Sequence, residues 1–245
     1  MRVLILSDIH ANLTALEAVI EDAAGKYDAV WCLGDTVGYG PEPDECVQRV
    51  RDLGATTVIG NHDWAALGRM DVEDFNPEAR RAVIWTREHL SADSLAWLSG
   101  LPSQPLEVEQ FTLTHASPRD PVWEYVMQPK IASENLAHFN TPFCLVGHTH
   151  VPALYVAADG DQKTRPFPPT TGEPMQLKEG WRGILNPGSV GQPRDNNKRA
   201  AYALLDTETG AWEPRRAEYL VEVTQTRMRQ AGLPERLINR LAYGW

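Results

Sequence analysis

The chain has 245 residues, 42% hydrophobic and 23% charged, with a formal net charge of −10. That is enough chain to bury a full core around a sheet, and it reads as one domain over residues 1–245. The negative balance weighs against nucleic acid or an anionic membrane as partner, and against a phosphate ligand unless bound cations reverse the sign locally.

In chain order, residues 3–6 are a short apolar run, a buried strand. Asn12 or Thr14 can cap a helix to about Ala24, with Leu13, Leu16, Val19 and Ile20 on one face. Residues 29–33 give a second strand, ending in Gly34-Asp35. A Gly- and Pro-rich loop leads to a helix from Pro43 that stops before Gly54. Residues 56–59 give a third strand, ending in Gly60-Asn61-His62-Asp63. This strand–helix alternation predicts a parallel sheet with crossover helices. Residues 77–98 read as helical, 106–108 and 111–114 as strands, 131–138 as helix and 143–146 as a strand ending at Gly147. Strands follow at 154–157 and 181–185, then a turn at 186–189. Residues 200–205 and 211–219 read as a hairpin, and 234–241 as a closing helix. Residues 159–174, dense in Gly, Pro, Thr and charge, read as a loop: a solvated tip, or a lid carrying Lys163 or Arg165 to a ligand.

The cysteines, Cys32, Cys46 and Cys144, show no C-x-x-C spacing. They read as buried thiols of a reducing compartment. The first apolar run is too short for a signal-peptide core, and no run approaches the roughly 18 apolar residues of a membrane span. A cytoplasmic location is expected; the oligomeric state is left open.

Metal-type groups beside glycines recur where strands end: Asp8 and His10, Asp35, Asn61 and His62, His115, then His148 and His150. Ligands of open α/β sheets bind outside the carboxyl ends of strands. In an extended segment His148 and His150 would share a face. A mixed carboxylate, imidazole and amide set without sulfur suits manganese, iron, zinc or a related divalent ion. There are too many such groups for one tetrahedral ion, and a two-metal centre with a bridging carboxylate accommodates the number. His89 and His138 lie outside these motifs and read as surface. Tyr39, Trp64 and Trp123 lie near them and read as packing aromatics rather than platforms for a base.

Asp8-x-His10, Gly34-Asp35, Gly60-Asn61-His62-Asp63, His115 and Gly147-His148-Thr149-His150, in this order, resemble the signature of the calcineurin-like metallophosphoesterase superfamily. Residues 7–12, 34–41, 115–121 and 186–195 are similar to a bacterial and archaeal phosphodiesterase-like branch of it. The resemblance implies an α/β four-layer αββα sandwich with mixed sheets and metals at the strand C-terminal ends. It implies that Asp8, His10 and His150 hold one divalent ion, that Asn61, His115 and His148 hold another, and that Asp35 bridges. The ions would be Mn, Fe, Zn or Ni, with Mn favoured. The implied reaction is hydrolysis of a small phosphodiester or phosphomonoester by a hydroxide between two metals, with His62 near the leaving group. Asp63 joins His62 as a candidate catalytic residue, although neighbouring side chains diverge.

Protein phosphatases and symmetric dinucleoside tetraphosphatases of that superfamily carry G-D-x-V-D-R-G. This chain has Gly34-Asp35-Thr36-Val37-Gly38-Tyr39-Gly40. Gly38 replaces the Asp that orients the catalytic His, and Tyr39 replaces the Arg that grips phosphate, a grip Tyr cannot copy. Arg119 and Arg194, each just after a proline, are candidate replacements, and Asn12 is a third candidate for touching substrate, although a helix cap is its commoner use. The rival readings are a protein phosphatase or dinucleoside polyphosphate hydrolase, a non-catalytic scaffold, and a nuclease, which the net acidity disfavours.

Overall fold

The structure, a computed structural model, describes residues 1–158 and 160–245. The first half contains β1 (Arg2–Leu6), α1 (Leu13–Asp22), β2 (Ala29–Cys32), α2 (Pro43–Asp52), β3 (Thr56–Thr57), α3 (Asn61–Ala66), α4 (Pro77–His89), α5 (Ala92–Ser99), β4 (Leu106–Val108) and β5 (Phe111–Leu113). The second half contains α6 (Pro129–Asn135), β6 (Phe143–Leu145), β7 (Ala153–Ala157), β8 (Arg165–Phe167), β9 (Met175–Gln176), β10 (Arg182–Asn186), β11 (Ala200–Asp206), β12 (Ala211–Ala217), α7 (Val221–Gln230) and α8 (Glu235–Arg240).

The strands form two six-stranded sheets, ordered β3-β2-β1-β11-β12-β9 and β4-β5-β6-β10-β7-β8. In the first, β1, β2 and β3 are parallel, and β11 joins β1 antiparallel. In the second, β5, β6 and β10 are parallel. These parallel strands send their carboxyl ends to one edge of each sheet.

The period-2 alternation of each strand sorts the core into layers. Val3 and Ile5 of β1 face Leu113 of β5 and Leu145 of β6 between the sheets. Leu4 and Leu6 of β1 point the other way, onto Leu16 and Val19 of α1 and Cys46 and Val50 of α2. On the outer face of the second sheet, Cys144 and Ile184 meet Ala132 of α6. The result is helix, sheet, sheet, helix, the αββα sandwich and mixed sheets that the motifs imply.

Several local expectations differ from what is observed. The single helix over 77–98 is broken into α4 and α5, because the Ser91 side chain accepts from the Ser94 N–H and starts a new helix. The third strand shrinks to two residues, and Asn61 and His62 open α3 instead of ending a strand. Residues 165–167 are a strand paired with β7 at the edge of the second sheet. Arg165 is exposed and pairs with Asp161 at 3.7 Å. Asp159, at the start of the expected loop, lies outside the described residues. All three cysteines are buried and free, and no helix among the described residues is long and apolar enough to cross a membrane.

Leu145 is fully buried between the sheets. Leu145→Ala should lower unfolding free energy by about 2–5 kcal/mol in urea denaturation, as cavity formation does in tight cores. A loss below about 1 kcal/mol would contradict close packing at this layer.

Candidate metal centre

Each expected ligand leaves a loop just past a strand or at a helix start, and the backbone there is strained. Asp8, His10, Asp35, His148 and His150 all have positive φ, between +51° and +63°. Ala11 and Tyr39, beside them, do too, at +51° and +60°. Left-handed backbone costs an L-residue on the order of 1 kcal/mol or more. Nine non-glycine residues have positive φ among those described, and these seven of them crowd one site. His148 and His150 are therefore not related by strand alternation: both lie in bends beyond β6, and they diverge to different clusters.

Asp8, His10 and His150 form one cluster; Asp35, His115 and His148 form a second; Asp35 also groups with His10 and His62. Asp35 Oδ2 lies 3.6 Å from His10 Nε2 and 3.4 Å from His115 Nε2, between the two clusters. The Asn61 Oδ1 is 3.0 Å from His115 Nε2. The main chain of His148 donates to both oxygens of Asp8, at 3.2 and 3.1 Å, and ties the clusters together.

Hydrogen bonds on the outer side of each ring fix which nitrogen faces inward. A carbonyl can only accept, so the ring nitrogen that meets one carries the proton. His10 Nδ1 donates to Val37 O (3.1 Å), His115 Nδ1 to Leu33 O (2.8 Å) and His150 Nδ1 to Gln192 O (2.6 Å). His148 is held the other way round, with Nε2 donating to Trp123 O at 3.2 Å. The inward atoms are then lone pairs facing lone pairs. His10 Nε2 and His150 Nε2 are 3.0 Å apart, His150 Nε2 and Asp8 Oδ1 3.2 Å, and His115 Nε2 and His148 Nδ1 3.2 Å. Asp35 Oδ2 is buried without any hydrogen-bond partner. Acceptors so arranged repel unless positive charge sits among them, and the residues therefore fit divalent cations.

The same balance governs the titrations. Burial lowers the pKa of His115, but the Asp35 carboxylate beside it outweighs that and raises it to about 9, so without cations this ring holds a second proton that a bound cation would displace. Burial pushes the Asp8 carboxyl up, yet the His150 imidazole reverses this and leaves it below the usual carboxylate range. Burial drives His148 down to about 3 and His62 to about 4.

His62 stands at N2 of α3, with its ring 4.2 Å from Tyr39, 4.9 Å from His10 and 5.1 Å from Phe75. Its Nδ1 is buried and unpartnered. Gly38, with φ of +93°, lies so close that a Cβ there would fall 2.7 Å from this Nδ1. The glycine that replaces an orienting Asp therefore packs directly on the ring, and aromatic neighbours hold His62 instead. A similar approach operates at Gly147, where a Cβ would come within 1.9 Å of Ser7 Oγ, the hydroxyl that donates to Asp8.

Three expected site residues have other work. Asp63 accepts from the Val37 and Gly60 N–H groups, both at 3.0 Å. It is a helix cap that joins two ligand-bearing loops and does not orient the His62 ring. Asn12 caps α1 by accepting from Ala15 N, donates to Gly191 O at 2.9 Å and accepts from Thr224 Oγ1, so its amide is engaged in fixing the chain. Arg119 pairs with Glu124 and with Glu134 at 3.1 Å, so its charge is engaged in an ion-pair cluster. Arg194 does reach the site: its N–H donates to His150 O at 3.3 Å and its guanidinium lies 5.7 Å over the Tyr39 ring. His89 and His138 are exposed, as their sequence contexts predict.

Other neighbours carry no sequence signal. Tyr125 lies 4.0 Å from the His148 ring, and Gln192 supplies the carbonyl that orients His150. A cleft of about 850 Å³ opens beside the centre, lined by Tyr39, Tyr125, Arg194, Arg236, Arg240 and Trp245 among others.

Two mixed sheets with this ligand cluster at their carboxyl edges define a metallophosphoesterase. A model of the calcineurin-like phosphoesterase superfamily domain matches residues 1–210, and the chain belongs to that superfamily. It is a hydrolase of phosphoester bonds, in a family that uses divalent metals. The crystal structure of a metallophosphoesterase from Sphaerobacter thermophilus is similar to it, with 48% identity, 100% of this chain and 99% of that one covered, and a TM-score of 0.89. Uncharacterized protein MJ0912 of Methanocaldococcus jannaschii is 34% identical over 98% of this chain and 97% of its own length. The symmetrical bis(5'-nucleosyl)-tetraphosphatase of Glaesserella parasuis is 32% identical, but over only 51% of this chain and 47% of its own length.

Two predictions follow from the geometry. Adding Mn²⁺ at about 100 times its Kd to chelator-treated protein should stabilise it by about 2.7 kcal/mol, since a cation that binds only the native state acts by mass action. That corresponds to a rise in Tm of roughly 5–10 °C for a chain of this size; the shift should vanish in Asp35→Asn, and an unshifted wild type would refute the cation argument. Asn12→Ala should cost about 1 kcal/mol of stability through the lost cap. Its kcat/KM should stay within about threefold of wild type in a kinetic assay, a change worth under 1 kcal/mol.

Proposed function

We propose that this protein is a two-metal phosphoesterase acting on a small phosphodiester or phosphomonoester, with manganese the favoured ion. The observation that carries the reading is the ring of histidine nitrogens and carboxylate oxygens turned inward, shared across two clusters by Asp35 Oδ2. Asp8, His10 and His150 would hold one cation, and Asn61, His115 and His148 the other. Such ions, when bound, acidify a water between them and offset charge on the phosphoryl oxygens.

The chain's own residues do the rest. Four carbonyls, from Leu33, Val37, Trp123 and Gln192, each lock one imidazole in the tautomer that presents a lone pair inward. His62 borders the same space through His10 and Asp35 and offers a ring N–H to the departing oxygen. Burial holds that imidazole neutral at pH 7, which supports a hydrogen-bond stabiliser over an imidazolium acid. Arg194 adds positive charge at the cleft side, where Tyr39 stands in place of a phosphate-gripping Arg. With Gly38 and Tyr39 at those positions, the protein-phosphatase and tetraphosphatase readings have less support.

The test is turnover of bis-p-nitrophenyl phosphate and p-nitrophenyl phosphate with Mn²⁺, alongside metal content of the purified protein. The expected result is about two metals per chain, with kcat reduced on the order of 10²–10³-fold in His62→Ala, as for loss of one transition-state donor. Absence of turnover with Mn²⁺, Fe²⁺, Zn²⁺ and Ni²⁺ would overturn the proposal.

A further inference from the structure

The cleft beside the metal centre has a wall that the superfamily match, ending at residue 210, does not cover. That wall is α8 and the residues after it: Arg236 and Arg240 line the cleft, as does Trp245. It faces Tyr39, Tyr125 and Arg194, and the first two of these pack on His10, His62 and His148. At about 850 Å³ the space exceeds what a single phosphoryl group fills.

The charges in the cleft are unbalanced. Arg194 Nη2 and Arg240 Nη1 both donate to one amide oxygen, Gln192 Oε1, at 2.8 and 3.1 Å. Arg194 also donates to the Tyr39 hydroxyl at 3.4 Å, and its Nε is buried without a partner. Arg240 Nε donates to a main-chain oxygen of Trp245. Among the described residues, neither guanidinium has a side-chain carboxylate within 4.0 Å. This occurs in a chain with 33 acidic residues against 23 basic ones. Arg236, on the same wall, is paired instead and meets Glu78 at 3.6 Å. Burial lowers the Arg240 pKa to about 10, and the Arg194 charge adds to that. Two like charges brought together in a half-buried place, sharing a neutral acceptor, are stabilised when an anion comes between them.

We propose that α8 and Arg194 build a second anion subsite, in which Arg194 and Arg240 grip a phosphate other than the one attacked. The preferred ligand is then a phosphate ester carrying a second phosphate. This rests on the phosphoesterase reading for the first phosphate and adds the class of substrate. Guanidinium forks match phosphate oxygens in pairs, a geometry suited to a second phosphate beside the one attacked.

The test is calorimetric titration of the Mn²⁺-loaded protein with AMP and with α,β-methylene-ADP, whose bridge resists hydrolysis, so that binding is read apart from turnover. The diphosphate analogue should bind about tenfold more tightly than the monophosphate, the worth of one charge-assisted contact. Arg240→Gln should erase that preference while AMP affinity stays within about twofold and metal content is unchanged. Arg240→Lys should keep part of it. Equal affinity of wild type for the two ligands would overturn the proposal without reference to any variant. A preference that survives Arg240→Gln, or an equal loss for both ligands, would overturn it as well. Normal hydrolysis of bis-p-nitrophenyl phosphate without the preference would refute only the subsite. The preference without hydrolysis would refute the phosphoesterase reading instead.

Discussion

The constraint on which the centre depends is the confinement of unprotonated nitrogen and oxygen atoms at about 3 Å from one another inside the protein. His10, His115, His148 and His150 each donate one ring N–H to a main-chain carbonyl, which turns the other ring nitrogen toward the interior of the site. The arrangement stores electrostatic repulsion and, through seven left-handed residues, backbone strain. Both are sustained by the surrounding sheets, whose inner faces are buried, and the repulsion is relieved by positive charge. A site of this kind is specified by what it lacks as much as by the residues it contains.

The glycines of the motifs and the caps of the helices serve that confinement. Gly147 admits the Ser7 hydroxyl and the Asp8 carboxylate to the turn that carries His148. Gly38 admits the His62 ring. Asp63 holds the loop after β2 to the start of α3 through two backbone donors, and so sets Asp35 and His62 against one another. These residues contribute position and no chemistry. In sequence they are hard to tell from catalytic groups, because they sit in the same motifs, as Asp63 and Asn12 do.

Much of the fold could be read from the chain because its strands alternate or run apolar and its helices begin at capping residues. Most strands, α1, α2, the β11–β12 hairpin and α8 follow from that, whereas their division into two sheets came from the family resemblance. The break at Ser91 and the shortness of β3 did not, since both turn on a single hydrogen bond or on the helix start that Asn61 and His62 provide. The cleft had little signal: Arg194 stood out beside its proline, but Tyr125, Arg240 and Trp245 belong to no spacing rule, and they meet only because the last helix packs over the strand edges.

The amino-acid order alone determined the kind of chemistry. Carboxylate, imidazole and amide groups at successive strand ends must gather at one edge once the strands run parallel, and no sulfur competes with them. Tertiary structure decided which atom of each group faces inward, because ring tautomers are fixed by carbonyls far away in sequence. It also decided which arginines remain without carboxylate partners. Arg119 finds Glu124 and Glu134, and Arg194 finds only Gln192, Tyr39 and another arginine. Charge pairing is a matter of distance in space, and sequence does not encode it directly.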